Sequence, residues 1–180
     1  MADEQVREAL IAAAIDVLGA PHPPAMPLRE VAVAAGVTTG AVQHHFGNRH
    51  GLLLAAVDRQ TEVLVRRLEA VEAAHPSAGA ARVRALLREL LPLDAVRVRE
   101  ARLVSAFIRL AADDDALAAE FRIRYRRLIE LLRDDLPGGE QDAALLLSVV
   151  DGTSGDVLLG LVDEDGALAL VERFLRLLGV

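Results

Sequence analysis

The sequence predicts an all-α protein, an N-terminal three-helix unit joined to a C-terminal helical bundle. Two observations carry that expectation. Apolar residues recur at helical spacing through almost the whole chain, with short Pro- and Gly-containing breaks between the runs. No segment shows the alternating pattern of a half-buried strand.

Taken in order, Val6, Leu10, Ala13, Ala14, Val17 and Leu18 share one face of a first helix that Gly19-Ala20-Pro21 ends. The stretch from Pro21 to Pro27 holds four prolines and cannot be helix interior. Leu28, Val31, Ala32 and Ala35 mark a short second helix stopped at Gly36, a natural left-handed C′ residue. Thr38 or Thr39 can cap a third helix that runs to about Phe46, and Asn48 can cap a long fourth one over about 49–74. His75 to Gly79 reads as a linker. Further helices are expected over about 80–91, 95–111, from the Asp113–Asp115 run to about Leu136, and over 141–161 and 166–178. Residues 1–64 are expected to form one domain and 65–180 the other.

Composition narrows the function. The 180 residues are 53% hydrophobic and 26% charged, with mean hydropathy +0.31, which excludes a disordered chain. The absence of cysteine excludes a disulfide scaffold, a thiol nucleophile and Cys-ligated metal. Asp3 and Glu4 stand where a signal peptide would be basic, and no apolar run approaches the ~18 residues of a membrane span. A cytoplasmic protein is expected. A net charge of −7 argues against a general polyanion binder. The charge is uneven, however: from Pro27 to Arg67 five arginines face three acids.

The informative stretch is LREVAVAAGVTTGAVQHHFGNRHGLL, from Leu28 to Leu53. Small alanines permit close helix crossing, Gly36 permits a sharp reversal, and Val37 can plug the angle between the two helices. Thr38, Thr39, Gly40 and Ala41 are small or hydroxylated and let a helix N-terminus approach phosphates and enter a major groove. Gln43, His44 and His45 follow as exposed hydrogen-bonding side chains, with Val42 and Phe46 pointing inward. Together these features describe a helix-turn-helix over about 27–46.

Leu28, Val31 and Ala32, then Ala35-Gly36-Val37-Thr38, then Gly40, His45, Phe46, Arg49, Leu52 and Leu53 resemble the signature of the TetR-like (TetR/AcrR) bacterial transcriptional regulators. The likeness covers about residues 4–64. Asp151-Gly152 is similar to a pair often seen in the penultimate helix of these proteins. Three positions depart from the pattern: Pro27 replaces a threonine, Gln43 a tyrosine and Arg49 a lysine. Gln43 could instead read an adenine edge, and Arg49 could reach a phosphate. The resemblance implies DNA contact from Thr38, Thr39, Gly40, Ala41, Gln43, His44, His45 and Arg49. It also implies a small-molecule effector held in the second domain.

Other features admit plainer readings. Adjacent His44 and His45, with His50 nearby, lack an accompanying acidic cluster, so no metal and no cofactor is expected; His22 and His75 read as solvated loop residues. Phe107, Phe121 and Tyr125 either fill an ordinary core or bound a ligand cavity, to which Arg102 or Arg109 could add a site for an anion. An aliphatic or acyl ligand is favoured over a flat dye. Val149, Gly152, Val157, Leu161, Val171 and Phe174 are read as a homodimer interface, with Gly160 another small residue of that surface. The pairs Asp134-Asp135 and Asp163-Glu164 read as caps or solvated charges. No nucleophile elbow, phosphate loop or metal-ligand spacing points to an enzyme.

The expectation is therefore a homodimeric, ligand-released repressor of double-stranded operator DNA with an inverted repeat. The competing reading is a ligand-binding or adaptor protein of the same fold without sequence-specific DNA binding, which the acidic first helix and Gln43 favour.

Overall fold

A computed structural model describes residues 3–21 and 28–180. The proline-rich connection over 22–27, His22 included, lies outside the described residues. Those described form α1 (Asp3–Gly19), α2 (Leu28–Ala34), α3 (Thr39–Phe46), α4 (Arg49–Ala74), α5 (Ala80–Leu90), α6 (Ala95–Ala111), α7 (Asp115–Leu132), α8 (Glu140–Leu158) and α9 (Glu164–Leu178), without a strand among them.

Local chemistry sets most of the boundaries. At the end of α2 the Gly36 N–H donates to Val33 O and the Val37 N–H to Ala32 O, with Gly36 at φ +68°. This pair of bonds satisfies the last carbonyls of the helix and requires a left-handed residue at that position. Asn48 caps α4 by accepting from the Gly51 N–H at 3.0 Å. Asp94, Asp114 and Asp163 do the same for α6, α7 and α9. Thr38 occupies the N-cap position of α3, yet its hydroxyl makes no capping bond.

Two boundaries and one side chain depart from expectation. Helix α7 ends at Leu132 and passes into a 3₁₀ turn over Arg133–Asp135 rather than running to Leu136. Helix α8 ends at Leu158, not near Leu161. Gly160 at φ +71° closes it, with Gly160 N–H on Val157 O and Leu161 N–H on Asp156 O, so this glycine is a helix stop. His75 is not merely solvated, because its Nδ1 bonds the Val71 carbonyl at 3.1 Å.

Two apolar cores organise the chain, and α4 enters both. The first joins Leu10, Leu18, Val31, Val42, Leu52 and Leu53 with Leu103, Phe107 and Leu117, so the helix-turn-helix unit closes over the second half of α6 and the start of α7. The second joins Leu68 of α4 with Leu86, Leu132, Leu146, Val171 and Leu175. Asp135 corrects the reading of the Asp134-Asp135 pair. It is buried, accepts from the Gly79 N–H at 2.5 Å and from Arg82 Nε at 2.8 Å, and so ties the linker to the end of α7.

Candidate nucleic-acid interface and ligand cavity

Helix α3 is held by Val42, which is fully buried, and by Phe46, which packs against the first core. Gly51 sets how closely α4 follows it, because a Cβ there would lie 2.2 Å from the Phe46 carbonyl oxygen. The opposite face carries Thr38, Thr39, Gly40, Gln43 and His44, all exposed, with Ala41 half-buried. Arg49 is exposed at the start of α4.

His45 differs from expectation. Its side chain is only 7% exposed, against 73% for His44, and its Nε2 stands 3.5 Å from Asp3 on α1. One residue of helix rotates a side chain by about 100°, which turns His45 toward α1 while His44 stays outward. His45 therefore packs α3 onto α1. Arg29 on α2 is a residue the sequence reading passed over: it is exposed, and neither it nor Arg49 has an ion-pair partner among the described residues.

The acids of α1 are engaged. Glu8 accepts from Arg59 at 2.7 Å and Arg7 at 3.3 Å, Asp16 lies 3.8 Å from Arg99, and Asp3 faces both histidines. Glu8 is thus held by two arginines, whereas Asp3 and Asp16 stay largely exposed. No group of three or more His, Cys, Asp or Glu able to hold a metal occurs among the described residues, and no helix there is long and apolar enough to cross a membrane.

A cavity of about 260 Å³ lies between α4, α6, α7 and α8, where the two cores meet. Phe107, Phe121 and Tyr125 all line it, whereas Arg102 and Arg109 do not. Phe107 meets Phe121 edge-on at 6.1 Å, and Phe121 meets Tyr125 at 5.7 Å. Gln60 also lines the cavity, and its Nε2 is buried without a hydrogen-bond partner. Burial raises the Tyr125 hydroxyl pKa, against a hydrogen bond with Ser148, while the Asp151 charge adds to the rise. Asp151 sits at the rim, reachable by solvent, and desolvation raises its carboxyl pKa. Arg124 lines the same space and bonds both Glu120, at 2.8 Å, and Asp58 of α4.

On the expected dimer face, Leu161 is 69% exposed and Gly152 is exposed, with Val149, Val157 and Phe174 half-buried. Val171 does not belong there. It is 3% exposed and sits in the second core, because α9 turns it toward α8 and α5. Leu145, Leu159, Leu170 and Leu177 are the further exposed apolar residues of α8, its C-terminal turn and α9.

A helix-turn-helix with a free reading face, set on a helical bundle with an internal cavity, defines a ligand-responsive DNA-binding regulator. Comparison with known proteins agrees. Residues 10–56 match the bacterial regulatory proteins of the tetR family, and residues 79–179 match the C-terminal domain of BetI-type transcriptional repressors. The chain belongs to the TetR family of bacterial transcriptional regulators. A crystallised transcriptional regulator from Rhodococcus sp. Rha1 is 32% identical over 96% of this chain and 95% of its own, with a TM-score of 0.87. The multidrug binding protein EbrR, crystallised with malachite green, is 26% identical over 97% and 98%, with a TM-score of 0.71. A regulator from Saccharomonospora viridis, in complex with choline, shares the fold at 18% identity over 96% of each chain, with a TM-score of 0.79. No curated protein matches the chain.

Proposed function

We propose that the protein is a homodimeric repressor that leaves an inverted-repeat operator when a small molecule fills the cavity beside α4. The observation that carries this reading is the position of α4, whose first turns pack under the recognition helix and whose middle walls the cavity. A ligand that favours one setting of α4 would change the separation of the two recognition helices.

In this reading Thr39, Gln43 and His44 face base edges. Thr38, Gly40, Ala41, Arg29 and Arg49 position the backbone, and His45 acts through packing. Two subunits would associate through the exposed leucines of α8 and α9. A Cβ on Gly152 or Gly155 would meet nothing within 4 Å in the chain, which leaves room for close approach. The unpartnered Gln60 Nε2 supports an occupied cavity, since a buried donor is normally satisfied. The BetI-type likeness supports repression.

The adaptor reading loses part of its support, because Glu8 of α1 is held by Arg59 and Arg7. Selection from random-sequence DNA, followed by anisotropy titration on the enriched site, tests the proposal. An enriched inverted repeat is expected; recovery of no sequence would overturn the operator reading.

A further inference from the structure

Three buried side-chain nitrogens lack a hydrogen-bond acceptor among the described residues: Gln60 Nε2, Arg67 Nε and Arg97 Nε. All three residues line the cavity. The two arginines are answered by charge and through their other nitrogens. Arg67 bonds Glu100 at 2.6 Å and keeps its Nε within 3.2 Å of a Glu89 oxygen, and Arg97 bonds Glu89 at 2.6 Å. Gln60 is neutral and gains nothing from such pairing. Its amide is the uncharged donor of the set, and a donor shut away from water without an acceptor destabilises the empty chain.

Gln60 lies on α4 where that helix passes from one core to the other. Val57, three residues before it, belongs to the first core, and Leu64, four residues after it, packs against the second. The neighbouring Thr61 hydroxyl is turned back on its own helix and donates to Val57 O at 2.8 Å. Leu103, Phe107, Phe121 and Leu147 give the rest of the wall a largely apolar character. A ligand that brings its own acceptor oxygen supplies what this wall lacks. That oxygen gains little from a negative charge, because Arg67, Arg97 and Arg124 already hold carboxylates. The fourth lining arginine, Arg127, is exposed, where an ion pair is worth little.

We propose that Gln60 is a specificity-determining residue of the cavity, its Nε2–H donating to a neutral carbonyl oxygen on a compact, otherwise apolar effector. This rests on the reading of the cavity as the effector site and adds the group by which the effector is recognised. The bond is made to α4 itself, so a ligand carrying that oxygen is anchored to the helix that also supports the recognition helix. An apolar ligand of the same shape fills the space and leaves the amide unpaired. The volume of about 260 Å³ lies just below the usual range of small-molecule sites, which favours a compact ligand.

Acetophenone and α-methylstyrene share a shape and differ in a carbonyl oxygen against a methylene group. Calorimetric titration with both probes tests the proposal on the full-length protein and on Gln60→Met, Gln60→Leu and Ala101→Phe. The ratio of acetophenone to α-methylstyrene affinity should fall about fivefold or more in Gln60→Met, which keeps the length of the side chain but not its donor. Gln60→Leu should show the same fall. Both variants should bind α-methylstyrene at least as tightly as the wild type does, which also shows that they are folded. Ala101→Phe, which fills the cavity from α6, should weaken both probes. A ratio unchanged in both Gln60 variants, with binding still blocked by Ala101→Phe, would show that water satisfies the amide. That result would overturn the role of Gln60 and leave the effector site standing. Binding of neither probe to the wild type, or binding that survives Ala101→Phe, would overturn both.

Discussion

His50 Nδ1 lies 3.2 Å from Asp114 Oδ2, joining the first turn of α4 to the N-cap of α7. The pair sits one residue from Arg49. A second link, Arg124 with Asp58, joins the same two helices where Arg124 borders the cavity. Helix α7 thus borders the ligand space along its middle and meets the DNA-facing end of α4 at its N-terminus.

His50→Gln should leave unliganded operator affinity within about threefold and lower the effector-induced loss of affinity by about 0.5–2 kcal/mol. Anisotropy titrations with and without saturating effector measure both quantities. An unchanged effector response would remove this link from the transmission route.

Gln43→Ala and His44→Ala should each cost about 1–3 kcal/mol on the selected operator and relax preference at particular base pairs. Arg29→Ala and Arg49→Ala should weaken all sequences alike and flatten the salt dependence. Selection profiles for the four variants separate the two groups. Identical profiles would show the division between reading and positioning residues to be mistaken.

Leu161→Arg and Leu177→Arg place a charge on exposed apolar positions and should yield monomers with weakened operator binding. Light scattering at micromolar concentration checks the assembly, and anisotropy checks its consequence. The two recognition helices should lie about 34–36 Å apart in the bound dimer. Monomers that keep full operator affinity would contradict the two-fold arrangement.

Asp135→Ala removes a buried carboxylate from Arg82 and the Gly79 N–H. Leaving a buried guanidinium unpaired should cost about 3–5 kcal/mol. Urea unfolding measures it, and a loss below about 1 kcal/mol would place the pair among solvent-screened ones.

The acid limb of stability should reflect the Asp94 cap. The Arg97 N–H bond is the main cause that lowers its carboxyl pKa, and the nearby Arg97 charge assists. The folded value is below the unfolded one, so this contribution is full above about pH 3.9 and disappears as pH falls through the folded value. Asp94→Asn keeps a capping oxygen but not the charge. Its stability should fall less than the wild type's between about pH 5 and pH 2, by under about 1 kcal/mol for so exposed a pair.

What could be read from the sequence was local. The Gly36 reversal and the caps at Asn48 and Asp114 depend on neighbours within five residues, and each lies where its pattern places it. His45 was misread because two consecutive polar residues on a short helix do not reveal which faces the neighbouring helix. Val171 was misread because α9 is apolar on more than one face, and only its contact with α8 assigns the inner one. Asp135 depends wholly on distant partners, a linker and Arg82. The likeness of Asp151-Gly152 to a pair of the family was visible; the place of Asp151 at the rim of the cavity was not.

The helix-turn-helix unit borrows Leu103, Phe107 and Leu117 from helices that follow α4 and α5. A fragment ending near residue 64 would lose that lid and expose a greasy hollow beneath α1 and α4. Such a piece could not be excised and kept as a portable DNA-binding module. Heating should disorder both halves together, because melting α6 uncovers α1 and α4, on which the recognition helix rests, as well as the ligand chamber. The repressor would then lose grip on DNA and its sensing chamber in the same thermal event, leaving no heat-damaged form that binds the operator but no longer answers the effector.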